Sequence, residues 1–142
     1  MNVEPYLFFE GRCDEAITLY RNVLGAEVTF LMRFRDSPEP PEHWPSADAG
    51  DKVMHANLRI GDTMVMVSDG RCDGQASFKG FSLTLSLTDA GTAERIFTAL
   101  SEGGQVQMPL GKTFWSPCFG MVQDRFGVAW FVMVHEPPSG GC

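Results

Sequence analysis

One repeated pattern constrains the fold more than any other feature of this chain. The segment LFFEGRCDEAITLYRNVLGAEV at 7–28 lines up with LSLTDAGTAERIFTALSEGGQV at 85–106. Each copy runs from an apolar strand through a helical stretch to a glycine and then into a new strand. Ala16, Tyr20, Val23 and Leu24 share one helical face in the first copy, and Gly25 stands where a C-terminal cap belongs. In the second, Asp89 precedes Ala93, Ile96, Phe97 and Leu100 at helical spacing, and Gly103–Gly104 ends the helix. Three strands follow each helix. After the first helix come EVTFLMRFR, VMHANLRI and TMVMVSD, the last two joined by Gly61–Asp62, a two-residue hairpin signal. After the second come QVQMPL, CFGMVQ and VAWFVMV, with DRFG as the tight turn between the last two. The order is strand–helix–strand–strand–strand, twice.

A four-stranded half-sheet with one helix covers only one of its faces, so each copy needs more than itself. The expectation is an α+β fold: two βαβββ modules forming curved mixed sheets around a shared cleft, with the helices outside. Module one spans 1–70, module two 77–135, and EPPSGGC at 136–142 is a tail. The interval 36–51 carries Pro38, Pro40, Pro41, Pro45 and five acids, and reads as a long mobile loop, either a lid or an insertion.

Charge and composition exclude several classes of function. Eighteen acids against 11 bases give a formal net charge of −7, which repels a phosphate backbone and argues against nucleic acid. No run of 18 apolar residues exists to span a membrane, and the start, MNVEPYLFFEG, lacks the basic region of a secretory signal. The four cysteines, Cys13, Cys72, Cys118 and Cys142, form no CxxC pair and read as reduced thiols of a cytoplasmic protein. No GxGxxG loop is present, and the GKT at 111–113 lacks the first glycine of a phosphate-binding loop, because Val106 stands there. His43 and His135 have no spaced partner, and no GxSxG elbow supports a serine triad.

Strand parity separates core from cleft. Phe81, Leu83, Leu85 and Leu87 alternate with Ser82, Thr84 and Ser86, so the hydroxyls face away from the helices. In VMHANLRI, Ala56, Leu58 and Ile60 face the core, and His55, Asn57 and Arg59 face away. Parity in EVTFLMRFR puts Val28, Phe30, Met32 and Phe34 on the core side, and Arg33 and Arg35 on the other. Trp130 reads as core and Phe131 as cleft. The resulting cleft mixes imidazole, amide, hydroxyl and guanidinium groups with Met and aromatic walls, which suits a small organic ligand with polar handles. His55 is the candidate proton-transfer residue. Arg33, Asn57, Ser82, Thr84, Phe114 and Trp115 are the candidate ligand-binding residues, Arg33 as an anion clamp and the loop aromatics as a wall or a dimer contact. For each, a purely structural role is the competing reading.

Three segments, PYLFFEGRCDEAITLYRNVLGAEV, VMHANLRIGDTMVMVSD and KTFWSPCFGMVQDRFGVAW, resemble the PhnB-like proteins of the vicinal oxygen chelate superfamily. That superfamily includes glyoxalase I, bleomycin resistance proteins and extradiol dioxygenases, and PhnB-like members carry the label 3-demethylubiquinone-9 3-methyltransferase-like. The resemblance covers residues 3–135 and implies paired βαβββ modules and a homodimer. It also implies where the metal-dependent relatives place their ligands: Pro5, Met66, Gly80 and Phe131 in this chain. None is a ligand for a hard divalent ion, so no metal and no cofactor is expected. The reading is a small-molecule-binding protein of glyoxalase/bleomycin-resistance type. The alternative is an enzyme of the same superfamily, of lyase, dioxygenase or transferase type, using His55.

Overall fold

The computed structural model describes residues 1–135; the expected tail at 136–142, Cys142 included, lies outside them. The chain divides into two compact units, one spanning Met1–Ser77 and the other beginning at Phe78. Each carries one helix and a four-stranded sheet of the same topology.

In the first unit the elements are β1 (Tyr6–Phe8), α1 (Cys13–Leu24), β2 (Glu27–Arg33), β3 (Val53–Ile60) and β4 (Thr63–Ser68). In the second they are β5 (Leu83–Leu87), α2 (Ala90–Ser101), β6 (Gln105–Gly111), β7 (Cys118–Gln123) and β8 (Ala129–Val134). The sheet orders are β1-β4-β3-β2 and β5-β8-β7-β6. In each, the first strand pairs in parallel with the last and the other pairs are antiparallel. The duplication read from the sequence is therefore a duplication of topology.

The helix-facing sides form the cores. In the first unit Leu7, Ala56, Leu58 and Val67 are buried with Ala16, Ile17 and Tyr20 of α1. In the second, Val122, Trp130, Val132 and Val134 are buried with Ala93, Ile96, Phe97 and Leu100 of α2. Gly120 of β7 sits under Phe97: a Cβ there would lie 2.8 Å from its ring. The turns follow the sequence. Gly25 caps α1 at φ +66, Gly61 turns the β3–β4 hairpin at φ +57, and Gly127 closes the β7–β8 turn at φ +95, values that an L side chain adopts only with strain.

The two helices start differently. Asp89 caps α2 locally, accepting the Thr92 N–H at 2.8 Å. Arg12, at the head of α1, supplies no side-chain cap. Asp69, just beyond β4 and fully buried, does so instead. Its Oδ1 accepts the N–H groups of Gly11 at 2.9 Å and Cys13 at 2.8 Å, and its Oδ2 that of Val53 at 2.7 Å. One carboxylate thus joins the helix start to the start of β3.

Two intervals differ in detail from the sequence pattern. The interval 36–51 contains two short 3-10 turns, Pro41–His43 and Ala49–Asp51, with a third, Phe34–Asp36, at its entrance. Arg35 pairs with Asp51 across it. The β2 parity also fails beyond Val28. Val28 pairs with Leu58, but Phe30 pairs with Asn57, so Thr29 is an extra residue, a β-bulge. Its effect is to turn Phe30 and Met32 to the side of His55 and Asn57, and Leu31 to the core side of Ala56. The second unit bulges at the same place: Val106 pairs with Val122 and Met108 with Met121, leaving Gln107 over.

Candidate functional site

Each sheet keeps one face turned away from its helix. In the first unit that face carries Tyr6 and Phe8 from β1, Met64 and Met66 from β4, His55 and Asn57 from β3, and Phe30 and Met32 from β2. Its centre is a chain of hydrogen bonds. The Tyr6 hydroxyl lies 2.6 Å from Nδ1 of His55, and Nε2 of His55 lies 2.7 Å from Oδ1 of Asn57. Residues 55 and 57 reach each other because alternate strand residues share a face; Tyr6 reaches them across β4, where it pairs with Met66, which in turn pairs with Asn57.

Aromatic rings hold this chain in place. Phe8 stacks on Tyr6 with centroids 4.6 Å apart and planes 8° from parallel. Tyr6 meets His55 edge-on at 5.2 Å, and Phe30 approaches the same imidazole at 6.1 Å. Burial raises the Tyr6 phenol above its ordinary value, against the opposing influence of the Ser68 hydroxyl, so Tyr6 keeps its proton at neutral pH.

The structure places the candidate residues in separate settings. His55 and Asn57 come together as expected. Arg33 does not join them. The bulge leaves it opposite Val53, and a second irregularity lies between Met32 and Arg33. Its guanidinium forms a bidentate pair with Asp14 of α1, at 2.9 and 3.0 Å, and also donates to the Asp51 carbonyl. That carboxylate raises the Arg33 pKa further, and the fork that would grip an anion is occupied. Arg59 is likewise paired, with Glu27. In the second unit, Thr84 lies on β5 beside Phe131 of β8, and Ser82 just precedes the strand. Phe114 and Trp115 lie in the β6–β7 loop, exposed, and continue an edge-to-face series: Phe114 to Trp115 at 4.6 Å, Trp115 to Phe119 at 5.3 Å, Phe119 to Phe131 at 5.5 Å.

Tyr6 is the residue the sequence reading missed. The alternation in YLFF carried the signal, since buried Leu7 and Phe9 put Tyr6 and Phe8 on the open face.

The positions implied for a metal also shift. The partner of Met66 is Tyr6 rather than Pro5, because β1 begins after the proline, whose carbonyl takes the Met66 N–H at 2.9 Å. The partner of Phe131 is Thr84 rather than Gly80, which precedes the strand at φ +84. Neither pair, Tyr6 with Met66 in the first unit nor Thr84 with Phe131 in the second, offers the carboxylate or imidazole that a divalent ion wants. Among the described residues no three His, Cys, Asp or Glu side chains gather to hold a metal. Cys13 and Cys72 are free thiols, both pushed upward first by burial and next by the Asp69 carboxylate, which leaves neither activated. No helix among the described residues is long and apolar enough to cross a membrane.

Comparison with known proteins places this geometry in a family. The family model described as 3-demethylubiquinone-9 3-methyltransferase matches residues 1–133. The chain belongs to that family. Protein YjdN of Escherichia coli K12 is 36% identical over 98% of this chain and 99% of its own length. The crystal structure of PA1353 from Pseudomonas aeruginosa shares 45% identity over 95% of this chain and 98% of that one, with a TM-score of 0.83. The Bacillus cereus PhnB protein superposes with a TM-score of 0.79 at 24% identity, covering 94% of this chain and 99% of that one. Further off, the fosfomycin resistance protein FosX of Listeria monocytogenes shares the fold at a TM-score of 0.62 and 9% identity, over 96% of this chain and 93% of its own. The 3-demethylubiquinone-9 3-methyltransferase-like family and an α+β fold shared with the PhnB protein and FosX are thereby established.

Proposed function

We propose that this PhnB-like protein binds a small organic molecule on the open face of its first sheet, without a metal at the superfamily positions. The observation that carries the reading is the Tyr6–His55–Asn57 chain, a polar line set among aromatic and methionine side chains on a face that α1 does not cover. Such a surface supplies apolar area for affinity and a few fixed polar groups for orientation. Ser82, Thr84, Phe114 and Trp115, on the second module, stay candidate ligand contacts in their own right. A homodimer in the cytoplasm completes it; light scattering of the purified protein checks the dimer, and elemental analysis checks for metal.

A second reading, an enzyme using His55 for proton transfer, is favoured by the 2.6 Å contact between the Tyr6 hydroxyl and Nδ1 of His55, a hydrogen bond along which a proton can move. The methyl transfer named in the family description needs a donor cofactor, and no GxGxxG loop supports one here.

Thermal-shift screening of a metabolite and antibiotic collection tests the proposal. At least one compound should raise the melting temperature of the wild type and do so much less for His55→Ala. Hits indifferent to His55, together with stoichiometric Zn, Ni, Fe or Mn in the purified protein, would refute it. Turnover of a hit, abolished in His55→Ala, would favour the enzyme.

A further inference from the structure

Both ring nitrogens of His55 are already engaged, and the partners fix the order of donors. An amide oxygen accepts and never donates, so Nε2, 2.7 Å from Oδ1 of Asn57, carries the imidazole proton. In the neutral imidazole Nδ1 is then the bare nitrogen and accepts the Tyr6 O–H at 2.6 Å. Protons therefore point one way along the chain, from Tyr6 to His55 and from His55 to Asn57. What remains for a ligand lies at the two ends. The Tyr6 oxygen has given its one proton to His55 and keeps acceptor lone pairs. Asn57 has committed its oxygen and keeps an amide NH₂, a donor.

The phenol is also the better presented group. Tyr6 is 37% exposed, and its ring is held by the parallel stack with Phe8. Nothing about the fold requires this chain. By register, the second module has Thr84, Phe119 and Met121 where the first has Tyr6, His55 and Asn57, and its sheet forms equally well.

We infer that Tyr6, not His55, meets the polar group of the ligand, that His55 is a positioning residue holding the phenol as an acceptor, and that the ligand offers an N–H or O–H donor to Tyr6 Oη and an acceptor to the Asn57 amide. The inference deepens the proposed function and rests on it. The ligand class is a compact molecule bearing a neighbouring donor and acceptor, such as an amide or a hydroxy-carbonyl compound. A molecule with acceptors alone meets the lone pairs of Tyr6 and is rejected, because a site built to pair a ligand N–H or O–H discriminates strongly against an analogue that lacks it. In the enzyme reading the same line is a relay. The ligand proton passes to Tyr6 Oη while the Tyr6 proton passes to Nδ1, leaving the ligand's conjugate base and an imidazolium.

Two measurements on the full-length protein test this. Long-range ¹H–¹⁵N NMR reads the His55 tautomer without any ligand. The expected result is an Nε2–H imidazole whose Nδ1 carries the shift of a hydrogen-bonded acceptor, moving to the unbonded value in Tyr6→Phe. An Nδ1–H tautomer, or no change in Tyr6→Phe, overturns the inference while leaving the ligand screen free to succeed. The second measurement titrates benzamide, which has donor and acceptor, against methyl benzoate, which has acceptors alone. Benzamide should perturb the His55 nitrogens at concentrations at least tenfold lower than methyl benzoate does, and Tyr6→Phe should erase that preference. Equal binding of the two, no perturbation by benzamide, or a preference that survives in Tyr6→Phe overturns it.

Discussion

The two modules share a topology, a bulge and a helix length, yet they use their open faces differently. On the first, β3 presents His55 and Asn57 and β1 presents Tyr6, so the polar atoms join into one chain. On the second, β7 presents Phe119 and Met121, and the hydroxyls retreat to the edge strand β5 as Thr84 and Ser86. The helix-facing sides differ much less, because packing against a helix accepts little but apolar side chains on both. Duplication preserved what folding needs and left the opposite face free to diverge. The contrast extends to the helix starts. Asp89 caps α2 from the adjacent position in sequence, whereas Asp69 caps α1 from the far end of its module.

That last difference yields the largest expected effect. Asp69→Ala leaves the buried N–H groups of Cys13 and Val53, and the part-buried one of Gly11, without their acceptor. At roughly 1–3 kcal/mol for each buried group stranded, the loss is on the order of several kcal/mol. Differential scanning calorimetry should show a fall in Tm of roughly 10–20 °C. A drop no larger than that of Asp89→Ala would remove the distinction between the caps.

Gly120→Ala comes next. The new Cβ would meet Phe97 at 2.8 Å and the Leu110 side chain at 2.9 Å, and overpacking of this kind costs about 1–3 kcal/mol. Urea unfolding should show a lower midpoint for this variant. An unchanged midpoint would mean that α2 seats more loosely on its sheet than the cores described above allow.

Arg33→Gln ranks third. Its pair with Asp14 is partly exposed, with side-chain exposures of 26% and 56%, and such pairs contribute up to about 1 kcal/mol. Compounds that bind the open face should bind the variant as they bind the wild type; a tenfold loss would restore Arg33 to the site.

The smallest effect belongs to Asp89→Ala, a Tm lower by a few degrees at neutral pH. Hydrogen bonds from Thr92 hold the Asp89 carboxyl below its usual 3.8. A lowered folded value places the cap's contribution above the unfolded value and removes it as pH falls through the folded one. Wild type and variant should therefore converge in strongly acid solution, and a constant gap in Tm would contradict the cap.

Most of this architecture was legible in the sequence because its signals are local. The aligned repeats, the alternation from Leu83 to Leu87, Gly25, Gly61 and the DRFG turn each act within a few residues and stand where expected, whereas Phe81 precedes the strand and is exposed. Arg33 was misplaced because a one-residue bulge at Thr29 leaves no mark on composition or periodicity, yet turns every later side chain to the other face. Asp69 was missed for a related reason: SDG after a strand reads as a turn, and its bonds to Gly11 and Cys13 span more than fifty positions. Tyr6 was within reach, since the same parity that selected His55 selects it. Its meeting with His55 depends on β1 lying parallel to β4, which strand patterns alone do not specify.

The central claim is that the first module's open face, through Tyr6, His55 and Asn57, is where a ligand binds. The most direct test gives that module the residues of the second, as the double variant His55→Phe, Asn57→Met. Its melting temperature without ligand should stay close to that of the wild type, since the second sheet carries the same residues without loss of fold. The stabilisation by thermal-shift hits should disappear. If the double variant folds and those compounds stabilise it as they do the wild type, the ligand lies elsewhere and the account of this face is wrong.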